Sequence, residues 1–184
     1  MELLAPAGSR QALTAAVQSG ADAVYLGGPQ FGARYSAENF TIEEMKTWVD
    51  YCHLYGVDVH VTVNTLVKEK EIESLKEYLK QLNKIGVDAL IVQDMGAVEI
   101  IKKTVPDMTL HASTQMTVTS LEGVKYLENM GFSRVVLARE LSEKEIEHIC
   151  KNAKAEIEVF VHGAICMCYS GQCLMSSILG GRSG

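Results

Sequence analysis

Two rhythms of apolar residues take turns along the chain. Stretches with apolar positions three and four residues apart, the spacing of one helix face, alternate with short runs of Val, Ile, Leu and Ala that read as buried strands. In the second helical stretch Ile42, Met45, Val49 and Cys52 share a face, and in the third Ile72, Leu75, Leu79, Leu82 and Ile85 do so. Four times a glycine closes such a stretch and a strand follows: Gly20-Ala-Asp-Ala-Val-Tyr-Leu, Gly56-Val-Asp-Val-His-Val-Thr-Val, Gly86-Val-Asp-Ala-Leu-Ile-Val and Gly131-Phe-Ser-Arg-Val-Val-Leu. Glycine suits the position just past a helix because it tolerates positive φ. Helix starts carry their own signals. Thr41 with Glu44 and Ser142 with Glu145 fit capping boxes, Thr119 with Glu122 gives a third, and Phe40 with Met45 has the spacing of a hydrophobic staple.

The pattern predicts strands near 2–7, 22–27, 57–64, 87–93, 108–113, 134–139 and 157–162, and helices near 10–19, 42–55, 69–85, 95–104, 120–130 and 143–153. Strict alternation implies right-handed crossovers and a parallel sheet, either a (βα)8 barrel or an open doubly wound sheet. Polar residues favour the barrel. Asn64, Gln93 with Asp94, His111 through Gln115, Arg139 with Glu140, and His162 fall in turn at C-terminal strand ends, where a barrel builds its site. A doubly wound sheet would gather them at one switch point behind a glycine-rich first turn, whereas Pro6-Ala-Gly8-Ser has one glycine. The expectation is an α/β, TIM-barrel-like (βα) repeat of about seven parallel strands, an incomplete barrel, forming a single domain over residues 1–184 with a Cys-rich loop and Gly-rich tail at 163–184. The exposed first and seventh edges invite pairing with another copy, a homo-oligomer. The stop at Gly180-Gly-Arg-Ser-Gly184 reads as the interruption of a longer protein, of which this is the N-terminal piece.

Composition narrows the class. Apolar residues make up 47% and charged residues 22%, so a packed core is expected and disorder is not. A net charge of -6 gives no general grip on phosphate backbones, so nucleic acid would be met by a local patch or a partner domain. The N-terminus lacks a basic n-region, and no run approaches the roughly 18 apolar residues of a membrane span. A cytoplasmic protein without a membrane partner is expected.

Chemistry concentrates near the end, in Glu158-Val-Phe-Val-His162-Gly163-Ala-Ile-Cys166-Met-Cys168-Tyr-Ser-Gly171-Gln-Cys173. Three of the five cysteines fall within eight residues, straight after a strand. Clustered thiolates select zinc, Cu(I) or iron-sulfur clusters, and in a reducing compartment they serve metal or redox chemistry more often than disulfides. Packing as small hydrophobes is the plain alternative, and it is assigned to Cys52 and Cys150 on their helical stretches. His111-Ala-Ser113-Thr-Gln115 is the densest polar string; in a strand His111 and Ser113 share a face. A core histidine bonded to its neighbours is the other reading of His111. A Ser-His-acid triad could be assembled from Ser113, His111 or His162, and Asp94, but no GxSxG elbow accompanies it. Arg139 and Glu140 read as site residues or as an ion pair on the barrel rim. Arg34 in the loop 28–40 and Arg182 in the tail are candidates for holding an anion.

At Leu3-Leu-Ala-Pro-Ala-Gly8, His111-Ala-Ser-Thr-Gln115 and His162-Gly-Ala-Ile-Cys166 through Ser170-Gly-Gln-Cys173, with Gly181-Arg-Ser following, the chain resembles the collagenase-like peptidase family numbered U-thirty-two. The resemblance runs from residue 2 to the end and implies a TIM-barrel-like N-terminal domain in the bacterial cytoplasm. Some members are named as peptidases and linked to collagen degradation. Others support hydroxylation of a tRNA wobble uridine, a ribosomal RNA cytidine or the ubiquinone ring, with a four-iron iron-sulfur cluster on four cysteines. Cys166 and Cys173 match the first two ligand positions, the remaining ligands of similar proteins lie beyond residue 184, and Cys168 stands where a small residue is expected.

The leading expectation is tRNA wobble uridine hydroxylation to 5-hydroxyuridine. On this reading His111, His162, Arg139 and Glu140 are catalytic, Asn64, Ser113, Gln115 and Tyr25 bind substrate, and Cys166, Cys173 and Cys168 hold the metal. Zinc on Cys166, Cys168, Cys173 and His162, or no metal in this chain, are the cofactor alternatives. A collagenase-like peptidase and a non-catalytic scaffold for a paralogous partner subunit are the functional alternatives; tRNA or another RNA is the expected partner.

Overall fold

Seven strands form one parallel sheet in which spatial order follows chain order: β1 (Leu4–Pro6), β2 (Ala23–Gly27), β3 (Asp58–Val63), β4 (Ala89–Val92), β5 (Thr109–Ala112), β6 (Arg134–Val136) and β7 (Glu156–Glu158). The helices α1 (Arg10–Gln18), α2 (Ile42–Leu54), α3 (Ile72–Ile85), α4 (Met95–Thr104), α5 (Leu121–Asn129) and α6 (Glu143–Asn152) alternate with them. This computed structural model describes residues 1–33, 39–163 and 166–173. Arg34 and Arg182, the two anion-binding candidates, and the Gly-rich tail lie outside the described residues, as does part of the loop 28–40. No helix among the described residues is long and apolar enough to cross a membrane.

The helices start and stop where their chemistry allows. Thr41 with Glu44 and Ser142 with Glu145 close capping boxes on α2 and α6, as the sequence predicts. The box expected at Thr119 with Glu122 does not form, because Ser120 takes the N-cap position one residue later and accepts from Gly123 N–H. Gly86 ends α3 at φ +83°, a left-handed conformation that a side chain would resist. Cys52 is buried on the core face of α2, and burial pushes its thiol up to about 11. Cys150 is exposed on α6, against the packing role expected for it.

Alternation of side chains along each strand sorts them onto two faces. On one, Val59, Val61 and Val63 of β3, Leu90 and Val92 of β4, and Leu110 of β5 join the inner helix faces, among them Met45, Val49, Leu75, Leu79, Val98, Ile101 and Val124, in a single apolar core. The opposite parity carries His60, His111 and Arg134, each under a tenth exposed. These polar residues point into the concave side of the sheet.

That the sheet is concave follows from one side chain. Arg134, at the start of β6, makes paired hydrogen bonds of 2.6 Å to both carboxylate oxygens of Glu2, the residue two before β1. In a flat sheet four strands would lie between these residues, five spacings or roughly 24 Å. The sheet therefore curls until its first strand faces its sixth, the open-sided TIM-barrel-like half barrel that the sequence predicts. Nε and Nη2 of Arg134 also reach Glu156 at 2.9 and 2.6 Å, and Nη1 lies 3.6 Å from Glu158.

The seventh strand is shorter than the predicted 157–162. Its neighbour β6 ends at Val136, and Ala138 turns away to donate to the Val118 carbonyl, so beyond Glu158 the chain has no ladder to join. Phe160 and Val161 are consequently exposed.

Replacing Arg134 with Met leaves Glu2, Glu156 and Glu158 crowded without a counter-charge. We expect Arg134→Met to lower the unfolding free energy by about 3 kcal/mol in urea titration. A second change, Glu2→Gln, should cost less in that variant than in the wild type.

Candidate functional site at the barrel mouth

A cavity of about 140 Å³ opens at the C-terminal ends of the strands. Its lining runs from Pro6, Ala7 and Gly8 beside β1, through Tyr25, Thr62, Asn64 and Ile91, to Ser113, Gln115, Val136, Glu158 and Phe160. All four predicted substrate-binding residues, Tyr25, Asn64, Ser113 and Gln115, line this one cavity. Asn64 Oδ1 accepts from the Ala33 N–H at 3.0 Å, which turns Nδ2 toward Ser113 Oγ at 3.5 Å. Ser113 in turn accepts from the Gln115 N–H at 3.2 Å and opens a 3₁₀ turn over Thr114–Met116. A wider groove, about 770 Å³, lies outside the barrel between α2 and α3 and contains none of the predicted site residues.

His111 lies one inward position below Ser113 and does not line the cavity. Its ring meets His60 edge-on at 4.7 Å, and neither Nδ1 has a hydrogen-bond partner among the described residues. Burial, with His60 and Arg134 nearby, pulls the His111 pKa down to about 3, and burial lowers that of His60. Both are neutral at physiological pH. The Ser-His-acid triad is not assembled. Ser113 is bonded to its own turn, while Asp94 caps α4 through Ala97 N–H at 2.9 Å and holds Val67 N–H at 3.0 Å.

The cysteine loop is fastened to this mouth through its middle. The Ser170 N–H donates to Glu140 Oε1 at 2.8 Å, its Oγ accepts from the Arg139 N–H at 3.3 Å, and its carbonyl accepts from the Thr117 hydroxyl at 2.7 Å. Thr117 holds the left-handed conformation at φ +56°, a cost that this contact offsets. Gly171, at φ +74°, passes so close to Gln115 that a Cβ would lie 2.2 Å from the Gln115 carbonyl oxygen. Burial would raise the Glu140 carboxyl, but the Ser170 hydrogen bonds outweigh it and hold the group below the usual range.

Glu140 is thus an anchor for the loop, and the expected ion pair with Arg139 is not among the described ion pairs. The Arg139 guanidinium instead acts on the Cys166 thiol. Together with the Cys168 backbone N–H, the larger effect, it holds that thiol below its ordinary value. Cys173 nearby raises the Cys168 thiol. His162 stands apart. It is exposed and four residues past the end of β7, not at the strand end where it was expected.

Among the described residues no three His, Cys, Asp or Glu side chains are grouped to hold one metal ion. Cys166 and Cys173 offer two thiolate donors of the four that a cluster takes.

The sequence model described as Peptidase family U32 matches residues 8–184. The chain belongs to peptidase family U32. It is 44% identical over 183 residues to the 23S rRNA 5-hydroxycytidine C2501 synthase of Escherichia coli, covering 100% of this chain and 27% of that protein. It is 40% identical over 181 residues to tRNA hydroxylation protein P1 of Bacillus subtilis, covering 98% of this chain and 43% of that one. The U32 chain therefore spans less than half the length of these curated relatives. A solved structure, the U32 peptidase Mk0906, superposes with a TM-score of 0.74 at 22% identity over 91% of this chain and 71% of that one, which supports the barrel fold.

Sequence reasoning missed Glu158, His60, Arg134 and Thr117. Parity would have found two of them, His60 and Glu158: in Val-His60-Val-Thr-Val and Glu156-Ile-Glu158 the polar positions alternate with apolar ones and share the inward face. Nothing local marks Thr117.

Because His111 is neutral in the fold and its pKa falls from 6.5 to about 3, the unfolded chain takes up the proton first as pH drops. Its contribution is present above 6.5 and is lost progressively below it. Between about pH 7 and about pH 5 the wild type should lose about 2 kcal/mol more unfolding free energy than His111→Asn, measured in urea. Separately, Gly171→Ala should release the loop without unfolding the barrel. The expected result is faster amide exchange and faster proteolysis within residues 163–173, with a urea midpoint close to that of the wild type.

Proposed function

We propose that this chain is the barrel portion of an RNA-hydroxylating protein that converts the tRNA wobble uridine to 5-hydroxyuridine. The observation that carries this reading is the fastening of Ser170 and Gly171 to Thr117, Gln115 and Glu140, which sets the cysteine loop beside the one cavity where Tyr25, Asn64, Ser113 and Gln115 meet. Two relatives whose names state hydroxylation of ribosomal or transfer RNA match nearly the whole chain and support it. A four-iron iron-sulfur cluster would be held by Cys166 and Cys173 with further ligands from outside the described residues, and bound there it would supply one-electron redox chemistry. Asn64 and Gln115 orient the base, the Cys168 N–H and then Arg139 favour the thiolate of Cys166, and the neutral His60 and His111 lie beneath the cavity without adding charge.

The peptidase reading finds no nucleophile and base in contact among the described residues, since Ser113 and His111 are separately engaged. Net charge is -6, so the reach for RNA falls to basic groups at the mouth such as Arg139, or to a partner domain.

The test is mass spectrometry of tRNA from a strain lacking the full-length gene. Loss of 5-hydroxyuridine is expected, with recovery on expressing the wild type but not Cys166→Ser with Cys173→Ser. Unchanged 5-hydroxyuridine in the deletion strain would reject the tRNA assignment.

A further inference from the structure

Twelve large apolar side chains are exposed among the described residues, and five of them, Val159, Phe160, Val161, Met167 and Tyr169, fall within residues 159–169. Scattered singly such residues need no explanation, but gathered beside a cavity they mark a binding face. Two are aromatic: Phe160 is 49% exposed and Tyr169 69% exposed. Both belong to the mouth. Phe160 is part of the cavity wall. Tyr169 opens a turn that closes when the Gln172 N–H donates to its carbonyl at 3.1 Å, and this turn is the fastened part of the cysteine loop. Ser170 is tied to Glu140, Arg139 and Thr117, and Gly171 lies against Gln115, itself a cavity-lining residue. Tyr169 is therefore displayed on fixed backbone with its ring in solvent.

Charge at the mouth can steer an RNA strand without holding it. At the strand ends Arg139 is followed by Glu140, and Lys68 and Lys70 alternate with Glu69 and Glu71, so each cation has a carboxylate beside it in the chain. A strand gripped by its phosphates needs an excess of cations along its path. The cavity adds a geometric requirement. A space of about 140 Å³ takes one ring and excludes a whole nucleotide, so a base seated inside leaves its two neighbours outside, at the rim. Unpaired bases present two flat faces, and aromatic side chains accept them whatever the sequence. We propose that Phe160 and Tyr169 form a stacking platform for the unpaired bases flanking the nucleotide that enters the mouth, so that single-stranded RNA is held by its bases more than by its phosphates. The proposal rests on the RNA-hydroxylation reading and adds to it the form of the partner, a looped single strand, and the residues that grip it.

The experiment is fluorescence anisotropy of the full-length protein with a labelled RNA hairpin carrying an unpaired loop, titrated at several salt concentrations. Phe160→Ala and Tyr169→Ala should each weaken binding about tenfold, with urea midpoints close to that of the wild type because both side chains are exposed. Tyr169→Phe keeps the ring and should bind to within about twofold of the wild type. Tyr169→Leu keeps apolar bulk without an aromatic face and should behave like Tyr169→Ala. The slope of log Kd against log salt should stay below about 3, the effect of about four phosphates. Wild-type affinity in Tyr169→Leu, equally tight binding of a fully paired duplex, a steeper salt slope, or no binding of the hairpin each overturn the assignment. Wild-type affinity with a lowered urea midpoint in the alanine variants also overturns it, and assigns the rings to a contact within the protein. The deletion experiment reads separately: 5-hydroxyuridine lost on deletion while the ring variants bind normally removes this inference and leaves the function standing. Unchanged 5-hydroxyuridine on deletion, with hairpin binding lost in the ring variants, does the reverse.

Discussion

Arg134 is what makes this sheet a barrel wall. A parallel sheet of seven strands with helices on one face has an apolar outer side, and its inner side must be either packed or made polar and satisfied. Here it is polar, and its largest element is a guanidinium that joins Glu2, at the chain's beginning, to Glu156 near its end. The tie spans the curl where no strand pairing does, because β1 and β7 have no ladder between them in the sheet. Bonds of this kind add little net stability when both partners are present, since desolvation offsets the attraction. Their effect is on shape: opening the sheet would expose a set of carboxylates and a cation that are compatible only when brought together.

The cavity is a consequence of that shape. Pro6 and Gly8 beside β1 stand opposite Val136 and Glu158 only because the first strand has been drawn round toward the sixth and seventh. The same charge cluster fixes the character of the cavity floor. Glu2 and Glu156 take the close bonds of Arg134 and leave Glu158 at 3.6 Å from Nη1, and the positive charge nearby helps keep His60 and His111 neutral. The loop above is held by backbone groups and small side chains, not by its sulfurs. Ser170 and Gly171 do the fastening, through Thr117, Gln115 and Glu140.

Much of this can be read from the residues. The helix faces, two of three capping boxes, the strand order and the convergence of Tyr25, Asn64, Ser113 and Gln115 follow from hydrophobic spacing and from polar residues at strand ends. What escapes is whatever depends on contacts between distant segments. His162 looks like a strand-end residue because Val-Phe-Val continues the alternating pattern, but β6 has already left the ladder, and pattern without a neighbour does not make a strand. Arg139 and Glu140 look like a pair because they are adjacent, yet the Glu140 carboxylate accepts from the Ser170 N–H thirty residues on, and the Arg139 backbone N–H donates to the Ser170 hydroxyl. Cys150 sits on a helix of the right period and still faces solvent, since a helix outside a barrel buries only one stripe. Glu158 appears as the start of an apolar run and becomes a cavity wall only when the sheet closes.

The account stands on the cysteine loop and the cavity being one site. Anomalous scattering at the iron edge from crystals of the full-length protein, prepared without oxygen, addresses this directly. We expect a peak beside the sulfurs of Cys166 and Cys173, on the side of Ser170 that faces Arg139 and the mouth. A peak bound elsewhere in the protein, or these two sulfurs turned away from the strand ends with no metal between them, would contradict it.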